Sequence, residues 1–128
     1  MDEVPGVFLL INQVNVVIIK TMKHKRTIIR ELKSVLAARF GEDIKDVILF
    51  GSRATGKAHK DSDYDVLIIL KNEYDWEYRC RITKVVYDLE LKYDIFIDKK
   101  IISEKELYRT IKGKHPIYQD AMQEGIYA

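Results

Sequence analysis

The chain has 128 residues, of which 47% are hydrophobic, and this size and composition suit one domain with a core of its own. The formal net charge is only +2, so charge gives no reason to expect extended nucleic-acid binding. The single cysteine, Cys80, excludes an intramolecular disulfide framework and is expected to pack as a small apolar residue of a helix.

The N-terminal stretch, residues 1–21, is expected to be an extension ahead of a domain at residues 22–128, and Met22 is a candidate natural start. Its apolar run is too short and too often interrupted by polar residues to span a bilayer. The acidic start also argues against a secretory signal, and without either signal a cytoplasmic location is expected. The competing interpretation makes residues 14–19 a strand of the sheet.

The first clear elements are a helix and a strand. Apolar residues at helical spacing predict a helix over residues 27–40, which Gly41 ends. The uninterrupted apolar run at residues 47–50 predicts a buried strand. This strand stops at Gly51 and Ser52, where small side chains let the backbone turn close to a ligand.

The Gly51–Ser52 turn is a candidate phosphate site. Backbone amides exposed at such a turn can bind phosphate. Ser52 adds a hydroxyl group, and Arg53 offers a forked cationic group to an anionic oxygen. A Gly-Ser turn occurs in many folds, so this feature alone is weak evidence.

Two carboxylates, Asp63 and Asp65, stand at the start of a second predicted strand, residues 63–70. Because strand side chains alternate, both aspartates share a face. Carboxylates this close raise each other's pKa unless a hard divalent cation holds both ionised, and magnesium suits oxygen ligands. The apolar residues that follow occupy both faces, which predicts a central strand covered on both sides.

A third carboxylate follows a long predicted helix, Trp76–Tyr93, whose apolar residues recur near the helical period. The next strand is predicted at residues 93–98, with Asp94 at its start. Asp63, Asp65 and Asp94 could thus converge at one edge of the sheet. Such a cluster can bind two cations that flank a phosphoryl displacement, and the third carboxylate can accept the proton of the nucleophile.

The C-terminal part is predicted to be helical. Ser103 and Glu106 have the spacing of a capping box for a helix that Gly113 closes, and Pro116 suits the first turn of a last helix that ends near Gly125. The whole order of elements predicts an α/β (α+β) fold, in which one small domain holds a mixed β-sheet flanked by helices.

The combined motif resembles the nucleotidyltransferase superfamily that includes DNA polymerase β. A Gly-Ser turn, a D-x-D pair and a later aspartate appear here in the family's order, over most of residues 26–98. Because the chain is short, it resembles the minimal nucleotidyltransferases within that superfamily. Their G-S-x-A-x-G loop matches Gly51, Ser52, Ala54 and Gly56.

The resemblance implies transfer of a nucleoside monophosphate from a nucleoside triphosphate to a hydroxyl group, with two Mg²⁺ ions as cofactors. Asp63 and Asp65 are then the expected metal ligands. Asp94 is expected to bind the catalytic metal and help deprotonate the acceptor. Gly51 and Ser52 are expected to contact the β and γ phosphates, with Arg53 as a further phosphate ligand.

The acceptor has to be inferred from the resemblance as well. Minimal nucleotidyltransferases of this kind are similar to antitoxins that pair with a HEPN-domain protein and transfer AMP from ATP to its tyrosine. Protein adenylylation is therefore the leading interpretation. Two alternatives stay open: nucleotidylation of a small hydroxylated molecule such as an aminoglycoside, and a noncatalytic antitoxin that acts by binding alone.

Overall fold

The computed structural model describes residues 13–58 and 63–128. Helix α1 spans Gln13–Phe40 and is followed by a short 3-10 turn and strand β1, Ile44–Phe50. A one-turn helix, α2 (Ser52–Thr55), leads to strand β2, Tyr64–Leu70. Helix α3, Trp76–Tyr93, then crosses to strand β3, Ile97–Ser103. The chain ends with helices α4 (Glu104–Arg109) and α5 (Pro116–Glu124) and strand β4 (Ile126–Tyr127).

The four strands form one mixed sheet in the order β3-β2-β1-β4. Strands β1 and β2 are antiparallel, β2 and β3 are parallel, and the short β4 pairs antiparallel with β1. The mixed sheet flanked by helices confirms the predicted fold class. It also confirms that β2 is an interior strand, which explains why its side chains are buried on both faces.

Helices cover both faces of the sheet. On the face that we call the α1 face, residues of α1 and α3 join alternate strand residues in the larger apolar cluster, which includes Leu32, Val66 and Ile82. On the opposite α5 face, Leu107 of α4 and Tyr118 of α5 pack on the remaining strand residues in a smaller cluster. Burying a side chain such as Leu32 stabilises the fold by about 1.5–3 kcal/mol. The two clusters therefore fix which strand residues point to which side.

Most element predictions are confirmed, with adjusted bounds. Helix α3 has the predicted bounds, and the capping box is present: the Ser103 hydroxyl accepts a hydrogen bond from the Glu106 amide, and the Glu106 carboxylate accepts one from the Ser103 amide. Helix α4 ends at Arg109, before Gly113, because Gly113 belongs to a separate 3-10 turn. Cys80 is exposed, so its predicted packing role is wrong.

Helix α1 begins well before residue 27, so the competing interpretation of residues 14–19 as a strand is wrong: these residues continue the helix. Helix α1 also runs without a break across the expected boundary between residues 21 and 22. Residues 1–12 lie outside the described part, and the status of residues 1–21 as an extension stays a prediction. None of the described helices combines the length and the apolar character needed to cross a membrane.

Candidate active site

The candidate site lies where β1, β2 and β3 come together beside the Gly51 turn. Asp65 of β2 is the register partner of Phe50 of β1 on one side and of Asp98 of β3 on the other. Strand alternation places Asp65 and Asp98 on the α5 face, because their neighbours Tyr64 and Ile97 pack in the cluster of the α1 face. Two carboxylates thus stand side by side on adjacent strands.

Gly51 is held against Asp65. Its backbone has φ of 73° and ψ of −154°, a conformation that is essentially restricted to glycine. A Cβ atom added there would meet the Asp65 carboxylate at its Oδ2 atom, closer than such atoms approach in proteins. The glycine predicted for a tight turn is therefore required twice, once by the backbone and once by the space that Asp65 occupies.

The pKa of Asp65 is raised above its usual value, first by burial and then by the charges of Asp98 and Asp63. The charge of Lys100 opposes this shift. Asp63 lies just before β2 and is exposed, and its negative charge contributes to the raised pKa of Asp65. Crowded, partly desolvated carboxylates of this kind gain from a bound cation that neutralises their repulsion.

The third strand does not begin where the sequence predicted. Asp94 caps the C-terminus of α3 in a left-handed conformation, with φ of 53°, and its amide donates to the Glu90 carbonyl oxygen. The Glu90 carboxylate then accepts a hydrogen bond of 2.8 Å from the Ile97 amide and anchors the start of β3. The strand predicted at residues 93–98 is therefore displaced to Ile97–Ser103, and Asp94 precedes it.

Asp98, which the sequence analysis missed, takes the position beside Asp65. The signal that points to it is the capping box at Ser103. That box fixes the end of β3, and the parallel pairing of Leu70 with Ser103 then aligns Asp65 with Asp98. The role assigned to Asp94 stays a prediction, while the register places Asp98 in the carboxylate pair.

Arg53 lies on a different side from the carboxylates. Its guanidinium carbon is 4.4 Å from the centroid of the Tyr64 ring, and Tyr64 packs in the cluster of the α1 face. Burial raises the pKa of Tyr64, which the Arg53 charge opposes. The Lys25 ammonium also donates to the Arg53 carbonyl oxygen at 3.2 Å. Arg53 thus stacks on the ring of Tyr64, which belongs to the α1 face. Its predicted phosphate contact stays a prediction.

Ser52 begins helix α2, directly after Gly51. The Gly51 carbonyl oxygen accepts hydrogen bonds of 3.1 and 3.2 Å from the amides of Ala54 and Thr55, and the Ser52 carbonyl accepts one of 3.0 Å from the Lys57 amide. These bonds use the carbonyl groups of the turn. The predicted phosphate contacts of Gly51 and Ser52 stay predictions, and residues 59–62 of the following loop lie outside the described part.

Comparison with known proteins identifies the fold and the family. Residues 29–127 match the family model described as the nucleotidyltransferase domain. The chain belongs to the nucleotidyltransferase family. The matched segment contains the Gly51 turn, Asp63 just before β2, and the register pair of Asp65 and Asp98.

Relatives in Methanocaldococcus jannaschii support this membership. Among those named "Putative protein adenylyltransferase", one is 39% identical over 55% of this chain and 71% of its own length, and another is 31% identical over 76% of this chain and 90% of its own length. Both identities are high enough, with this coverage, to place all three chains in one family.

Two solved structures share the fold. One is "a putative nucleotidyltransferase" from Sulfolobus solfataricus, with a TM-score of 0.53 and 21% identity over 85% of this chain and 83% of that chain. The other is "the toxin-antitoxin with AMP-PNP", with a TM-score of 0.52 and 18% identity over 76% of this chain and 69% of that chain. At these identities the likeness is one of fold.

The donor set of this nucleotidyltransferase domain fits magnesium. Within residues 13–58 and 63–128, no three His, Cys, Asp or Glu side chains are gathered to hold a metal ion by themselves. Magnesium does not require that, because it usually binds one or two carboxylates together with substrate phosphates and water. Asp65 and Asp98 supply such a pair of carboxylates, with Asp63 close enough for its charge to raise the pKa of Asp65.

Proposed function

We propose that this nucleotidyltransferase transfers AMP from ATP to a tyrosine hydroxyl of a HEPN-type partner protein, as an antitoxin-like protein adenylyltransferase. The observation that carries the proposal is the register pair of Asp65 and Asp98 beside Gly51. The names of the Methanocaldococcus relatives support protein as the acceptor. The fold shared with a toxin-antitoxin structure containing AMP-PNP supports a partner protein and an adenine nucleotide.

The proposed reaction exchanges one phosphorus–oxygen bond for another. The tyrosine oxygen forms a bond to the α phosphorus of ATP, the bond from that phosphorus to the bridging oxygen breaks, and pyrophosphate leaves. The carboxylate of Asp98 accepts the tyrosine proton. The Gly51–Ser52 turn receives the β and γ phosphates, which holds the leaving group in one orientation.

Asp63, Asp65 and Asp98 would hold two Mg²⁺ ions, whose charge stabilises the transferring phosphoryl group. Burial, and then the negative charges of Asp98 and Asp63, raise the pKa of Asp65, and bound cations would favour its ionised form. The closeness of Gly51 to Asp65 keeps the carboxylate and the phosphate turn in fixed relation. Positioning and electrostatics of this kind account for most catalysis of phosphoryl transfer.

The test uses ATP labelled at either the α or the γ phosphorus, incubated with Mg²⁺, this protein and the proposed HEPN-type partner protein. Label from the α position is expected on the partner, and label from the γ position is expected only in pyrophosphate. Asp65→Asn should abolish the transfer, while its melting temperature shows that it stays folded. Label from the γ position on the partner would contradict the proposal, because it indicates a kinase.

A further inference from the structure

A cavity of about 530 Å³ opens on the α5 face, on the β3 side of the carboxylates. Its volume lies within the range of pockets that bind ligands. Lysines and apolar side chains form its walls. The residues that matter here are Lys100, Lys112, Lys114, Ile111, Ile117 and Tyr118.

We propose that this lysine cavity, defined by those six residues, docks an acidic, tyrosine-bearing segment of the acceptor protein. The inference rests on the proposed function, because it names the chemistry of the acceptor for the same site. Neither the family membership nor the relatives' names specify such a segment.

The order of groups across the sheet places the cavity on the acceptor side. Gly51 follows β1, Asp65 lies on β2, and Asp98 lies on β3 with Lys100 two residues further along on the same face. In an in-line displacement the nucleophile enters opposite the leaving group. If pyrophosphate leaves toward Gly51, the tyrosine enters from the β3 side, where the cavity opens.

The charge of the cavity selects an acidic occupant. The Lys100 ammonium lies 3.3 Å from Oδ1 of Asp98 and thus connects the cavity with the carboxylate pair. The Lys112 ammonium lies 3.3 Å from the Glu106 carboxylate, and Lys114 has no acidic partner among the described residues. Both Lys112 and Lys114 are exposed. An acidic segment would gain from these cations, and a basic segment would be repelled.

The apolar walls suit an aromatic anchor. Ile111 is 86% exposed at the rim and offers apolar surface to an occupant of the cavity. Tyr118 is almost fully buried and packs edge-on against His115, with ring centroids 6.4 Å apart. A tyrosine that enters the cavity would cover Ile111 and keep its hydroxyl toward the carboxylates, since tyrosine combines an apolar ring with a polar end.

The two ends of the α5 face differ in charge. Ile117, at the start of α5, lines both the lysine cavity and a smaller cavity of about 240 Å³ beside Gly51. The smaller cavity carries Asp120 and Glu124, which would repel an acidic peptide. Of the two cavities that share Ile117, the one with the lysines is therefore the one suited to an acidic segment.

The test measures binding by fluorescence anisotropy, with the full chain and two fluorescein-labelled peptides that carry one tyrosine flanked by either glutamates or lysines. The glutamate peptide is expected to bind at least about tenfold more tightly at low salt, with the difference shrinking as salt screens the charges. Lys112→Glu/Lys114→Glu should remove this preference. Lys84→Glu/Lys105→Glu, which changes the net charge equally at exposed positions outside the cavity, should keep it.

Lys112 is paired with Glu106, so the double variant could lose stability as well as charge. The single variant Lys114→Glu keeps this pair and should weaken binding of the glutamate peptide by a smaller factor.

Equal binding of both peptides, or the same loss in the control variant, would overturn the proposal. Displacement of the peptide by ATP would also overturn it, since the cavity would then belong to the nucleotide. Tighter binding of a labelled oligonucleotide than of the glutamate peptide would overturn it in favour of nucleic acid. Peptide binding without AMP transfer would support the docking site and reject the proposed reaction.

Discussion

Asp65 and Asp98 are register partners on neighbouring parallel strands, and both lie on the sheet face that α5 covers. This pairing, with Gly51 packed against Asp65, brings two carboxylates and the turn after β1 to one point. The sequence separates these residues widely, and only the sheet brings them together. The pair therefore provides a sharp test of which aspartate completes the site.

Exchange of Asp98 for asparagine should reduce AMP transfer by about a hundredfold or more, because the variant loses both a proposed metal ligand and the proposed proton acceptor. Asp94→Asn is the matched control, since Asp94 caps helix α3 and precedes β3. The control should retain most of the activity. Transfer rates and melting temperatures of both variants decide the assignment: loss with Asp94→Asn and retention with Asp98→Asn would restore Asp94 as the third carboxylate.

The conformation of Gly51 predicts that Gly51→Ala is costly. The backbone strain of its φ and ψ costs about 1–3 kcal/mol for a residue with a Cβ atom, and the new methyl group displaces the Asp65 carboxylate. Both stability and transfer should fall.

Gly56→Ala is the control, because Gly56 also has a positive φ, of 81°, but open space around it. In the control, stability should fall by about 1 kcal/mol, while transfer measured well below the melting temperature should persist. Equal loss of transfer in both variants would argue against the contact with Asp65.

The contact between α1 and α3 predicts a defined dependence of stability on pH. Hydrogen bonds from Lys92 and then from Tyr93 lower the pKa of Glu31. A carboxylate with a lowered pKa stabilises the fold at pH values above its unfolded pKa of about 4.3, and this contribution disappears as the pH falls through the lower, folded pKa.

Glu31→Gln should therefore lower the melting temperature at pH 7 by about 2 °C, the size expected for a partly exposed charged contact. The difference from the unmodified protein should shrink as the pH falls below about 4.3, the unfolded pKa of a glutamate. Thermal melts of both proteins between pH 3 and pH 7 measure this difference. A difference that persists unchanged at the acid end would mean that the carboxylate charge is not responsible.

Removal of residues 1–21 tests the expected domain boundary. The truncated chain would lack the first part of α1 but keep Ile28, Ile29, Leu32 and Leu36, the α1 residues in the core. The melting temperature and ATP binding should therefore change little. A large drop in melting temperature would show that the N-terminal segment belongs to the folded domain.

The sequence predicts well those elements whose signal is local. Helix α3 has a clear helical period and an Asp75 N-cap that accepts a hydrogen bond from the Tyr78 amide, and β2 is an apolar run between polar ends. The error at β3 arises because Ile95, Phe96 and Ile97 resemble the centre of a strand. In the structure, Asp94 and Glu90 first complete the helix cap, and β3 starts only at Ile97.

The register between strands β2 and β3 cannot be predicted from local sequence patterns. Whether Asp94 or Asp98 stands beside Asp65 depends on how β3 aligns with β2, which buried residues such as Ile101 and Ile102 fix by packing on opposite faces. The position of Arg53 also could not be predicted from local patterns, because Arg53 of α2 stacks on Tyr64 of a different element, β2. The residue types were predictable from sequence, while their alignment required the assembled sheet.

The most direct test of the central claim is intact-mass spectrometry of the proposed HEPN-type partner protein, after incubation with ATP, Mg²⁺ and the protein. The partner should gain the mass of one AMP group with the unmodified protein and gain none with Asp65→Asn. Replacement of the modified tyrosine by phenylalanine should also prevent the gain. An unchanged partner mass, despite a stable complex between the two proteins and measurable ATP binding, would contradict protein adenylylation.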